Sequence, residues 1–259
     1  MENFKKITSK DNSLIKLVCA LQSSRKARLE HNLFVLEGVR ICDDACSCEI
    51  RFDKLIISET AFSKYESAVK SFEKNSNECY LLPDSLFKKI SDTTSPQGII
   101  ALASMPKMNN TINKNGRYIA LENLADPSNL GAISRTAEAL GVSGIILSSD
   151  SCDPYSPKSI RASMGTLFRM PLIIFDDFSK AISESGLKSF ACVVDKNAKS
   201  ITEVSFENGS VVIIGNEANG LTEKTKQTAN EQITIKMSGK AESLNAATAA
   251  AISIWEMMK

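Results

Sequence analysis

Hydrophobic positions fall into short blocks along this chain, and their period changes the element each block predicts. Between residues 11 and 30, Leu14, Leu17, Val18 and Leu21 recur three and four apart, which predicts one amphipathic helix. Apolar runs of strand length follow at 34–36, 54–58, 79–82 and 99–103. Helical patterns separate them at about 39–48, from 59 to about 72, and around 85–90. This alternation predicts a compact α/β unit over residues 1–105.

The pattern then breaks. Residues 106–116 are polar and rich in Asn and Lys, begin at Pro106 and end at Gly116, and read as a linker. From 117 to 259 strand-length runs return at 118–121, 144–147, 172–175, 190–194, 211–214 and 233–236. Helical patterns lie at 130–140, 157–168, 178–184, 222–229 and 244–258. Continuous apolar strands alternating with helices predict a mostly parallel sheet covered on both faces.

At 259 residues the chain suits one large or two modest domains with a well-buried core. Its 43% hydrophobic and 24% charged content place it among soluble globular proteins. The net charge of +1 gives no global basic field, so a nucleic-acid partner would have to be met by a local patch. Lys5, Lys6, Lys10, Lys16, Arg25, Lys26 and Arg28 supply such a patch, read either as a solvated helix face or as a phosphate-contacting arm. No apolar run has the length of a signal peptide or a membrane span, so no membrane partner is expected. Seven scattered cysteines in such a chain point to a reduced, cytoplasmic setting. Cys42, Cys46 and Cys48 lack the paired spacing of zinc ligands and the chain holds one histidine, His31, so no metal is expected.

Neither a G-x-G-x-x-G turn after a first strand nor a G-x-x-x-x-G-K-[ST] loop occurs, which sets aside the two common nucleotide cradles. Three other constellations remain. Asp126-Pro127-Ser128-Asn129-Leu130-Gly131 stands between a strand and a helix whose buried stripe is Ile133, Ala137 and Leu140. Asn129, Arg135 and Glu138 read either as a capping residue beside a surface ion pair or as one edge of a cleft. Ser156–Gly165 opens with Pro157 and carries Lys158 and Arg161 on one face, a solvated edge or a path for RNA phosphates. Finally, the runs 211–214 and 233–235 stop at Gly215-Asn216-Glu217 and Met237-Ser238-Gly239. These turns fall at the carboxyl ends of strands, where open α/β sheets bind ligands. Ala246, Ala249, Ala250 and Ser253 make a small-residue stripe, read as helix-on-sheet packing or a helix–helix dimer contact.

Residues 126–142 (DPSNLGAISRTAEALGV), 211–222 (VVIIGNEANGLT) and 237–256 (MSGKAESLNAATAAAISIWE) together resemble the three signature motifs of the SpoU-type, TrmH-like RNA ribose 2'-O-methyltransferases of the SPOUT superfamily. The resemblance implies a C-terminal SPOUT α/β domain with a trefoil knot, S-adenosylmethionine as cofactor, and a homodimer. The segments SKDNSLIK, FVLEGVR and TTSPQGIIALA are similar to the smaller L30e-like α/β RNA-binding domain of the family's ribosomal RNA members. By motif position, the catalytic group is Arg135, Asn129, Asn245 and Glu217, and the cofactor lies against Gly215, Asn216, Ile235, Met237, Ser243 and Leu244. Lys10, Lys16, Arg25, Arg28, Arg40, Lys158 and Arg161 are the expected RNA contacts. The implied activity is methyl transfer to a ribose 2'-hydroxyl, with 23S ribosomal RNA ahead of transfer RNA. A non-catalytic RNA-binding protein that keeps the fold is the rival from another class.

Overall fold

The computed structural model describes residues 3–106 and 110–259; residues 107–109 of the expected linker lie outside the described residues. The chain divides into two units, Met1–Pro106 with Tyr155–Arg161, and Lys107–Pro154 with Ala162–Lys259.

The first unit runs β1 (Phe4–Lys6), α1 (Ser13–Ser23), α2 (Arg25–His31), β2 (Leu33–Glu37), α3 (Val39–Ser47), β3 (Phe52–Ser58), α4 (Glu59–Lys64), α5 (Glu66–Lys74), β4 (Ser76–Leu82), α6 (Asp84–Ile90) and β5 (Ile99–Ser104). Its sheet has the order β1-β4-β3-β5-β2, with β2 and β3 antiparallel to β5 and the other pairs parallel. The single helix expected over 11–30 is two. Ser24 turns extended (φ −127, ψ 117), and its hydroxyl accepts from the Ala27 N–H to cap the second helix. Leu14, Ile15, Val18 and Leu21 bury α1 against Val35, Ile56, Leu82 and Ile100 of the sheet.

From residue 117 the chain runs β6 (Arg117–Leu121), α7 (Pro127–Ala139), β7 (Gly144–Ser148), α8 (Pro157–Ser163), β8 (Leu172–Phe175), α9 (Phe178–Glu184), β9 (Lys188–Cys192), β10 (Lys199–Ser200), β11 (Ser210–Ile214), α10 (Glu223–Thr228), β12 (Glu231–Thr234) and α11 (Ala246–Met258), all in the second unit except α8, whose residues up to Arg161 belong to the first. Among the described residues the sheet of the second unit is wholly parallel, in the order β10-β12-β9-β11-β6-β7-β8. Central strands covered on both faces are continuous apolar runs, as parallel packing requires: every residue of β11 is buried. The helix expected over 157–168 is interrupted at Met164 (φ 50) and Gly165 (φ 83), and a short 3-10 turn, Thr166–Phe168, follows. The small-residue stripe of α11 packs on its own unit, since Ala250 and Ser253 are fully buried.

Close packing also fixes where α7 runs. A Cβ on Gly131 would lie 2.4 Å from the Ala162 Cβ and 2.5 Å from its carbonyl carbon. Backbone cannot yield as a flexible side chain can, so Gly131→Ala is expected to cost about 1–3 kcal/mol of stability. Urea unfolding of the variant checks this, and an unchanged midpoint would show that the contact relaxes freely.

Candidate active site

The three motif segments, 126–142, 211–222 and 237–256, meet in the second unit. The carboxyl ends of β9, β11 and β12 and the segment before α11 enclose a cavity of about 580 Å³. Gly215, Asn216, Ile235, Met237, Ser243 and Leu244 all lie on its wall. Val193, Val194 and Asp195, just past β9, form a side of it that the sequence reading missed. The signal was present, because another apolar strand ends there, but the residues carry no motif. The Cys192 thiol on this wall is pushed up to about 11 by burial and stays protonated.

The loop after β11 closes on itself. Asn216 and Gly220 exchange backbone hydrogen bonds of 3.0 and 2.9 Å. A Cβ on Gly215 would meet the Gly220 carbonyl carbon at 2.2 Å, so only glycine allows this approach. The Asn216 side chain holds the loop at both ends: its Oδ1 accepts from the Ala218 and Asn219 N–H groups, and its Nδ2 donates to the Asn123 carbonyl at 2.7 Å. Beyond the loop, Thr222 caps α10, and its N–H and hydroxyl both donate to the carboxylate of Glu122 at 2.8 Å. Glu122, only 4% exposed, also accepts from the Thr225 hydroxyl. Sequence reasoning did not single it out, although a carboxylate directly after a buried strand is a signal in its own right.

Glu217 points the other way, to the start of α7. Its carboxylate accepts from the Ala125 N–H at 3.0 Å, the Asp126 N–H at 3.1 Å and the Asn129 Nδ2 at 2.7 Å. Burial works against this carboxylate, but the donors of Ala125, Asn129 and Asp126 outweigh it and hold its pKa below the usual glutamate range. Asn129 is buried, and its Oδ1 accepts from the Asn245 Nδ2 at 3.1 Å. Asn245 in turn caps α11 by accepting from the Ala247 and Thr248 N–H groups. One carboxylate thus links the three motif segments. Glu217 was expected as a catalytic group; here its carboxylate accepts from three fixed donors.

Arg135 stands on the exposed side of α7, outside the cavity wall. Its expected partner Glu138 is taken by Arg169, which reaches it with a bidentate pair, so the Arg135–Glu138 ion pair does not form. Of the expected RNA contacts, Lys10, Lys16, Arg25, Arg40 and Lys158 are exposed. Arg161 is half-buried and pairs with Asp92 at 2.7 Å. Arg28 is withdrawn from that set. It is 4% exposed and its guanidinium donates to the carbonyls of Leu21 and Gln22, closing the end of α1. Among the described residues no cluster of His, Cys, Asp and Glu has the makings of a metal site, and no helix is long and apolar enough to cross a membrane.

Comparison with known proteins bears on this geometry. The SpoU rRNA Methylase family model matches residues 116–255, and an MRM3-like substrate binding domain model matches residues 12–101. An uncharacterized tRNA/rRNA methyltransferase of Synechocystis is 30% identical, over 96% of this chain and 92% of that protein. The 23S rRNA (guanosine(2553)-2'-O)-methyltransferase RlmP of Bacillus subtilis is 25% identical, over 98% of this chain and 99% of its own. The crystal structure of AdoMet-bound rRNA methyltransferase from Sinorhizobium meliloti superposes with a TM-score of 0.84 at 27% identity, covering 98% of this chain and 97% of that one.

The Glu217 hub has a pH signature. Because its folded pKa is lowered, its contribution to stability is present above the ordinary glutamate value of 4.5 and is lost as pH falls through the folded value. Glu217→Gln sets a second amide donor against Asn129 and removes that dependence. The melting temperature of the variant should fall below wild type at about pH 7 and the gap should narrow at about pH 3. A gap independent of pH would show that the carboxylate charge is not what holds the hub.

Proposed function

We propose that this chain, which belongs to the SpoU rRNA methylase family, transfers a methyl group from S-adenosylmethionine to a ribose 2'-hydroxyl of 23S ribosomal RNA. The observation that carries this is the convergence of all six expected cofactor residues on one cavity, tied by Glu217 and Asn129 to Asn245. The full-length relative named as a 23S rRNA 2'-O-methyltransferase supports the substrate.

The cavity fits the cofactor on its own chemistry. About 580 Å³ is within the range of small-molecule pockets. Ile235, Met237 and Leu244 offer apolar wall to an adenosyl group, and the Asp195 and Glu242 carboxylates complement a sulfonium charge. Bound S-adenosylmethionine supplies an electrophilic methyl group. Everything else is positioning. Asn129 and Asn245, fixed through Glu217, orient the acceptor ribose. Arg135 presents a planar fork of N–H donors and no acceptor. It therefore orients the 2'-hydroxyl and its neighbouring phosphate, and the hydroxyl proton leaves to water.

The same reading extends to organisation. Residues 1–105 bind RNA and 117–259 carry out the chemistry, joined by the linker 106–116. The catalytic domain is trefoil-knotted, a reading supported by two loops that share one cavity although β9 separates their strands. It acts as a homodimer: Ile252 and Trp255, 36% and 59% exposed, sit three apart on one face of α11 and suit a self-complementary contact. Seven free cysteines fit a cytoplasmic setting.

The test is methyl transfer from tritiated cofactor to unmodified 23S ribosomal RNA, with digestion to nucleosides. Label in a 2'-O-methylnucleoside is expected; label on a base, or in transfer RNA alone, would overturn the assignment. Arg135→Ala is expected to lower turnover by about 100-fold with cofactor affinity unchanged. Equal loss of both would make Arg135 structural. Trp255→Asp should shift the sedimenting species from dimer to monomer, and an unaltered dimer would place the interface elsewhere.

A further inference from the structure

Arg135 and Glu138 stand three apart on α7, a spacing at which opposite charges on one helix ordinarily pair. The partner that prevents this comes from a later segment. Met164 and Gly165, both left-handed, end α8 and turn the chain, and the 3-10 turn Thr166–Phe168 packs against α7. Arg169 follows directly. Its Nε donates to Glu138 Oε1, and its Nη2 donates to Oε2 at 3.2 Å, so one guanidinium engages both carboxylate oxygens. These bonds hold the Glu138 carboxyl below the usual glutamate range, and it remains an anion. Arg135 is exposed and has no ion pair among the described residues.

The fork between Arg169 and Glu138 is not what docks the turn. The Ser134 and Thr166 hydroxyls, both buried, share a hydrogen bond of 2.7 Å, and Leu167 and Met170 are buried on either side of Arg169. Gly131 already lies against Ala162. By contrast, the Arg169 and Glu138 side chains are 40% and 33% exposed, and an ion pair so exposed adds little to stability. What it changes is the charge beside Arg135. Without Arg169, Glu138 would be an unpaired carboxylate one turn along the helix, where a guanidinium is its ordinary partner. It would also repel a phosphate approaching Arg135. With Arg169 on Glu138, the three side chains sum to one positive charge, and Arg135 is the one that remains open.

We propose that Arg169 is a positioning residue for methyl transfer: by occupying Glu138, it keeps the Arg135 guanidinium free for the acceptor ribose and its phosphate. The assignment rests on the reading that Arg135 touches the RNA substrate. Arg169 lies outside the motif segments 126–142, 211–222 and 237–256, and acts through Glu138 alone.

Methyl transfer to unmodified 23S ribosomal RNA, at low and high salt, is compared for wild type, Arg169→Ala and the double variant Arg169→Ala, Glu138→Gln. The single variant should turn over about threefold more slowly at low salt, the size of one exposed ion pair, and approach wild type at high salt. Its S-adenosylmethionine affinity should stay at the wild-type value. The double variant restores the local charge and should recover the wild-type rate. An unchanged rate in Arg169→Ala would overturn the proposal. So would a loss that Glu138→Gln does not rescue, since Arg169 would then touch RNA or hold the fold itself. Titration of the Glu138 carboxyl by carbon NMR gives a readout independent of turnover. Arg135→Ala should barely move it in the wild-type background, but should raise its pKa in the Arg169→Ala background, where the two side chains have paired. Equal effects in the two backgrounds would overturn the proposal. Titrations as expected without methyl transfer by wild type would refute the enzymatic reading and leave Arg169 as the group that holds Glu138 from Arg135. Transfer by wild type and an unaffected Arg169→Ala variant would do the reverse.

Discussion

A carboxylate that accepts from Ala125, Asp126 and Asn129 organises the catalytic unit. Glu217 follows β11, and its donors lie about ninety residues earlier in the chain, at the start of α7. The bonds are individually ordinary in length. Their effect comes from what they connect: the loop after β11, the amino end of α7 and, through Asn129, the cap of α11. A charged acceptor facing several fixed N–H donors is stronger than a neutral pair, and it orients Asn129 without using that residue's carbonyl oxygen. The oxygen is left to hold Asn245. The cavity next to this hub is bounded by loops that would otherwise be free to drift.

A second set of contacts keeps those loops narrow. Gly215 allows the chain to return against Gly220 and Leu221, and Asn216 fastens the turn to Asn123. Glu122, buried beside it, ties the next helix through Thr222 and Thr225. Buried polar groups of this kind are acceptable only when satisfied, and here each carboxylate has its donors. The consequence for function is preorganisation: the groups that would touch cofactor and ribose are positioned by the protein before either arrives.

Much of the fold was legible because buried parallel strands are continuous apolar runs. The runs at 118–121, 144–147, 172–175 and 211–214 all became strands. What escaped was short or polar. Phe4–Lys6 and Lys199–Ser200 are too brief and too basic to show a period, yet each joins a sheet edge. The break at Ser24 was hidden because Ser is tolerated within a helix and signals a cap only once its hydroxyl has a partner. In the site, strand ends and motif positions pointed to residues that line one cavity. The roles of individual side chains did not, since they depend on tertiary partners. Glu138 carries the same charge in either reading, and only the fold shows that Arg169 claims it. Arg28 was one of several basic residues on a helix face, and its burial follows from the turn between α1 and α2.

The cavity against Gly215, Ile235, Met237 and Leu244 is the proposed cofactor site. Calorimetric titration with S-adenosylmethionine, of wild type and of Leu244→Arg in parallel, tests this most directly. Leu244 is only partly buried, so the variant should unfold at the wild-type temperature. One site per chain is expected in wild type, and its loss in the variant. Absence of binding by wild type, or equal affinity in both proteins, would contradict it.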